Sequence, residues 1–153
     1  MKKIIALLAS VLLIALISGC GAKSFSADKL TVSEYNDAEM NAEVSLYIKQ
    51  KTVTDETEEA ALELINSTDR DFSYDAAQRL EVRLSDGKWY VVDDKQDYII
   101  MSILTLPANG TAEDMFYFDG HYDKLPAGSY RMVKTLTDTD GNTALAAAEF
   151  DIR

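Results

Sequence analysis

Cysteine occurs once in this sequence, at position 20, and histidine once, at position 121. A single cysteine excludes an internal disulfide, so the folded part must be held by core packing. These two residues alone cannot build a Cys/His zinc site. They also leave no Ser-His-Asp or Cys-His set if Cys20 is committed elsewhere. A glycine-rich phosphate loop, a basic patch interleaved with aromatics and an internal repeat are missing too. Basic residues are scarce: 15 stand against 26 acidic ones, a formal charge of −11. Such an excess opposes binding to nucleic-acid phosphates or anionic headgroups through the protein surface and favours a neutral or cationic partner. With 153 residues the chain has room for one domain of ordinary size.

What is present begins with a leader. Lys2 and Lys3 precede an apolar run from Ile4 to Ile17, broken only by Ser10. As a helix this run measures about 21 Å, short for a permanent membrane span but suited to the core of a signal peptide. It ends in Ile17-Ser18-Gly19-Cys20, which resembles the lipobox of bacterial lipoproteins. The resemblance implies a diacylglyceryl group on the Cys20 thiol, cleavage between Gly19 and Cys20, and an extracytoplasmic protein anchored to the bacterial cell membrane through that lipid. Two acyl chains, at about 0.8 kcal/mol per methylene, suffice for stable anchoring. An ordinary secretory signal with an incidental cysteine, or a buried apolar helix, are the alternatives. Loss of residues 1–19 would leave 13 basic against 26 acidic residues.

Residues 20–42 are polar and without period, and they read as a lipidated cysteine followed by a tether. A flexible stretch from Gly21 to Ala42 has an r.m.s. span of about 25 Å. Ser33 could cap a short helix over 33–42. From residue 43 to 153 the signals are those of strands. Val44, Leu46 and Ile48 alternate with polar neighbours, as do Ala60, Leu62 and Leu64. Leu80, Val82 and Leu84 oppose Arg79, Glu81 and Arg83, and Asp86-Gly87 then signals a two-residue hairpin returning through Lys88–Val92. Tyr98–Leu104 is apolar throughout, so its facing is undetermined. Turns are expected at 107–110, 126–128 and 138–142, with a closing strand that places Ala144, Ala146, Ala148, Phe150 and Ile152 on one side. Seven or eight strands at this spacing predict an all-β, antiparallel β-sandwich.

Asp86-Gly87-Lys88-Trp89-Tyr90, then Leu125-Pro126-Ala127-Gly128-Ser129-Tyr130, then Ala148-Glu149-Phe150-Asp151-Ile152 resemble a group of bacterial Ig-like domains found in secreted and lipid-anchored proteins. The likeness implies an immunoglobulin-like sandwich over 43–153, without the disulfide of antibody domains. Trp89 is expected at its centre, and Tyr130 in a tyrosine corner with its hydroxyl bonded to backbone upstream.

Several motifs invite chemistry and have plainer readings. Asp138-Thr139-Asp140-Gly141-Asn142 has carboxylates for weak calcium binding, but an EF-hand register would put Leu136 and Ala147 at ligand positions, so a hairpin turn is expected. His121 reads as an exposed loop histidine, and the acid pairs Glu58-Glu59 and Asp93-Asp94 as solvated charge. Within Phe116-Tyr117-Phe118 alternate residues face opposite ways, giving either core with a satellite contact or an exposed aromatic patch. No catalytic residue, cofactor or metal is therefore assigned. The function expected is a non-enzymatic binding module for a protein or cell-wall partner. The alternatives are an inhibitor of extracytoplasmic proteases acting through the loop Asp119–Lys124, and a structural spacer.

Overall fold

A computed structural model describes residues 24–96 and 102–153. Ten strands run in chain order: β1 (Thr31–Val32), β2 (Val44–Ile48), β3 (Glu59–Asn66), β4 (Phe72–Asp75), β5 (Arg79–Arg83), β6 (Trp89–Val92), β7 (Ile103–Leu106), β8 (Thr111–Tyr117), β9 (Gly128–Asp138) and β10 (Thr143–Ile152). All strand pairs are antiparallel. A small sheet has the order β2-β3-β8. In the larger sheet β9 is long enough to pair with both β5 and β4 along one edge, while β10 covers its other edge. β6 and then β1 extend that sheet beyond β5, and β7 extends it beyond β4.

The period-two alternation places the core as expected. Ala60, Leu62 and Leu64 from β3 and Phe116 from β8 meet Phe72, Leu80, Val82, Met132 and Leu136 of the other sheet, all 3% exposed or less. Fully burying such a side chain contributes about 1.5–3 kcal/mol. Ala144, Ala146 and Ala148 face the same core. Tyr130 forms the expected corner: its hydroxyl donates to the Pro126 carbonyl at 2.6 Å, and its ring is fully buried. Gly87, at φ 81°, turns the β5–β6 hairpin. The sandwich is also tied across its layers by Lys134 of β9, 3% exposed, whose Nζ lies 2.7 Å from Asp114 of β8 and donates to the Ala77 carbonyl.

Two features differ from the sequence reading. Trp89 is buried, 5% exposed, but on the outer face of the large sheet. The hairpin register pairs Arg83 with Trp89 and Val82 with Tyr90, so Tyr90 and Val92 enter the core and Trp89 joins the charged side. What covers it is part of the expected tether. Residues 31–42 run across the sheet as β1, a 3-10 turn at Asp37–Glu39 and a bridge of Met40 to Leu145. No α-helix forms over 33–42: Asn36, not Ser33, caps the single turn, while the Ser33 hydroxyl donates to Glu81 and accepts from the Tyr35 N–H.

Candidate functional site

The strap formed by residues 31–42 is held mainly by polar contacts. The Ser33 N–H donates to the Trp89 carbonyl at 2.8 Å. Glu81, on β5 and fully buried, accepts from the Ser33 hydroxyl at 2.7 Å, Arg79 Nε at 2.7 Å and Arg131 Nε at 2.6 Å. Arg131, from β9 and 1% exposed, continues to Asp37 at 2.6 Å, and Arg79 to Glu34 at 2.8 Å. The two guanidinium groups lie over aromatic rings, Arg131 over Trp89 at 4.5 Å and Arg79 over Tyr35 at 4.4 Å. A buried carboxylate persists only when its lone pairs are taken up this fully. Arg131 Nη2 and Trp89 Nε1 are buried with no hydrogen-bond partner among the described residues.

At its end the strap joins the two sheets through one residue. Asn41, at φ 57°, donates its N–H to the Leu145 carbonyl at 2.8 Å. Its side chain accepts from Ala147 N–H at 2.9 Å, donates to the Ala147 carbonyl at 2.8 Å and accepts from Leu46 N–H at 3.4 Å. Asn41 thus clips β10 of the large sheet to β2 of the small one. A small polar side chain suits the place, since asparagine tolerates left-handed backbone and carries both donor and acceptor. Past this clip the two strands border a groove of about 800 Å³. One wall is Ile48 and the residues from Gln50 to Thr54, the other runs from Ala147 to Asp151, and Asp37 and Arg131 also line it.

A model of the bacterial Ig-like domain matches residues 40–151. The chain belongs to the bacterial Ig-like domain family. No curated protein matches the sequence. Among solved structures, this Ig-like chain is similar to structural-genomics target SoR45, with 13% identity, 76% of this chain and 88% of that one covered and a TM-score of 0.37. It is also similar to the archaellum periplasmic stator protein FlaG from Sulfolobus acidocaldarius, at 14%, 70% and 99% covered, TM-score 0.37. A third is the ASH/PapD-like domain of human CEP192, at 14%, 85% and 94% covered, TM-score 0.33. These likenesses are remote.

Within the Ig-like domain the residues singled out from sequence are dispersed. Cys20 lies outside the described residues, as do Tyr98 and the residues through Met101. His121 is not an exposed loop residue: 16% of its side chain is accessible, and its Nδ1 lies 2.9 Å from Asp94. Its ring also stacks on Tyr117 at 6.3 Å. Asp94 thereby turns to His121 rather than pairing with Asp93 in a carboxylate dyad. The loop Asp119–Lys124 is drawn onto the domain: Lys95 N–H donates to the His121 carbonyl, Gln96 to the Gly120 carbonyl, and Tyr122 is buried beneath Phe116 in a parallel stack at 5.9 Å. Burial pushes the Tyr122 hydroxyl above the usual phenol range.

Asp138 caps its own hairpin. Its carboxylate accepts from Asn142 N–H, Asn142 Nδ2 and Asp140 N–H and pairs with Arg70, so its oxygens are taken. Among the described residues no group of three His, Cys, Asp or Glu side chains is placed to hold a metal ion. Phe116 and Phe118 point into the core and Tyr117 outward, 46% exposed, which is the satellite arrangement rather than an aromatic patch. Sequence reasoning missed Asn41, Glu81 and Arg131. The hairpin signal pointed the other way: a two-residue turn at Asp86-Gly87 would set Trp89 opposite Leu84, whereas Leu84 faces Lys88 across three loop residues, and that one-residue shift pairs Trp89 with Arg83 on the face of Glu81.

Proposed function

We propose that this Ig-like domain is a non-enzymatic binding module held outside a bacterial membrane by a lipid on Cys20, and that it meets its partner at the groove between β2 and β10. The observation supporting the site is that groove itself: the edges of β2 and β10 approach each other and then border an open volume, and among the described residues neither carries a strand ladder on that side. The anchoring is supported by the Ile17-Ser18-Gly19-Cys20 pattern at the end of the apolar leader. The protease-inhibitor alternative draws less support, because the loop 119–124 buries Tyr122 and turns most of His121 against Asp94 and Tyr117.

A photo-reactive residue placed at Thr52, on the groove wall, should give an adduct of discrete mass in intact cells. The same residue at Asp69, in the turn after β3, should not. Equal labelling at the two positions, or none at Thr52, would leave the domain a spacer. In the same cells Cys20→Ala should move the protein from the membrane to the soluble fraction; retention in the membrane would remove the anchor.

A further inference from the structure

We infer that the groove takes an extended peptide strand from another polypeptide, neutral to basic in charge, which hydrogen-bonds to the free edge of β10 beyond Ala147. This rests on the reading of the groove as the binding site and names how the partner is held.

The unbroken β9–β10 register, from Thr143 opposite Thr137 to Ile152 opposite Gly128, fixes which backbone groups point away from β9. Leu145 and Ala147 turn theirs outward, since Asn41 bonds to them. Backbone direction alternates with a period of two, so Glu149 and Asp151 turn theirs outward as well. On the facing wall the Leu46 N–H points to Asn41, so Ile48, two residues on, also directs its groups into the groove. Among the described residues β10 forms a ladder only with β9, apart from the bridge at Leu145, and β2 only with β3, although β2 passes close to β10.

The strap has already begun what a bound strand would finish. Met40 and Asn41 pair with β10 in a parallel bridge at Leu145 and then leave the edge for β2. A peptide continuing from that point along Ala147–Ile152 has five steps of about 3.3 Å, or roughly 17 Å. That length suits about five or six residues. Its alternate side chains would meet Leu46, Val53 and the half-buried Ile48 and Phe150, which are apolar, with Lys51 and Arg153 at the rim. Arg131 is already neutralised by Glu81 and Asp37. Strand addition to an exposed edge takes affinity from main-chain bonds and selectivity from alternate pockets.

Charge decides among occupants. Within the groove Glu149 and Asp151 on the edge are balanced by Lys51 and Arg153 at the rim, so the discrimination comes from the chain's overall −11. A second copy would bring the same excess to the same edge, whereas a basic strand is drawn in.

The test uses the full chain in detergent micelles and the hexapeptide acetyl-(Lys-Val)3-amide, followed by amide hydrogen exchange. Bound peptide should slow exchange of the Glu149 and Asp151 amides at least tenfold. The same peptide N-methylated at alternate residues should give less than twofold slowing, and acetyl-(Glu-Val)3-amide should bind at least tenfold more weakly. Asp151→Pro, which removes one outward backbone donor, should weaken the peptide; because it also removes the Ser129 hydroxyl's bond to the Asp151 carboxylate, Asp151→Ala is the reference for that loss, and the N-methylated peptide tests the backbone bond on the unaltered protein. Unchanged exchange at both amides, equal binding of the N-methylated peptide, or protection that follows self-association without peptide would each overturn strand addition. A photo-adduct at Thr52 alongside any of these results would keep the binding module and discard only this mode.

Discussion

Glu81→Leu should be the most damaging polar substitution in the domain, and its cost can be assigned to one neighbour. Arg79 is 24% exposed and keeps Glu34, so it loses little. Arg131 is 1% exposed and would retain only Asp37, which is 64% exposed. Stranding a buried charge in this way costs about 3–5 kcal/mol, a large part of the roughly 5–15 kcal/mol available to a domain. Arg131→Met should cost less, about 1–3 kcal/mol, because Glu81 keeps Arg79 and Ser33. The double variant removes both charges, and it should lie within about 1 kcal/mol of the parent. The experiment is urea denaturation of a soluble form starting at Gly21, followed through Trp89. That residue is the only tryptophan and lies directly beneath Arg131. Deleting the strap through Asn36 would admit water to the cluster and reduce the Glu81→Leu cost to about 1 kcal/mol, the value of an exposed pair. A single-variant cost below about 1 kcal/mol, or a double variant equal to the sum of the singles, would refute the assignment.

Tyr130→Phe removes the corner bond to Pro126 and should lower the unfolding free energy by about 1–2 kcal/mol by the same denaturation. Phe116→Ala opens a cavity under Tyr122 and should cost about 3–5 kcal/mol. Asp138 is held below the ordinary aspartate value of 3.8 by Asn142 first, then by backbone N–H groups and Arg70, against the opposing effect of burial. A depressed carboxyl contributes stability that is present above that value and lost as pH falls through it, so urea midpoints should drop below about pH 4, less steeply in Asp138→Asn. Burial raises the Tyr130 and Tyr122 hydroxyls instead, so stability present below about pH 10 should decline above it, and Tyr130→Phe should soften that decline.

Much of the sandwich was legible because its strands alternate cleanly. Of the expected inward set of the closing strand, Ala144, Ala146, Ala148 and Ile152 lie in the core and Phe150 packs against it half-buried. Leu-Pro-Ala-Gly-Ser-Tyr130 acts through local geometry, and local geometry survives in sequence; Asp86-Gly87 marked the hairpin but not its length, because Leu84 faces Lys88 across three loop residues rather than two. The strap was hidden for the opposite reason. Its anchoring is by hydrogen bonds and ion pairs to residues about 50 to 110 positions away, and polar contacts leave no periodic mark. Arg79-Leu80-Glu81-Val82-Arg83 shows the cost of that: alternation located the charged face correctly but could not tell that something covers it. Asn41 had no signal beyond being asparagine, because its role depends on two edges meeting at one point.

The buried charges explain why the groove begins where it does. An apolar strap could slide along the outer face in several registers of similar energy, because burial has no direction. Glu81, Arg79 and Arg131 remove that freedom, since Ser33, Glu34 and Asp37 can satisfy them, in that order, in one alignment only. That alignment delivers Asn41 to Leu145, Ala147 and Leu46, closing four hydrogen bonds to backbone groups and stopping the strap there. The free edge from Glu149 onward is therefore set by a network on the other side of Trp89. By this reasoning the Glu81→Leu/Arg131→Met variant, although as stable as the parent, should lose the amide protection at Ala147, because nothing then holds the strap in register. Retained protection at Ala147 in that variant would show that Asn41 docks by itself.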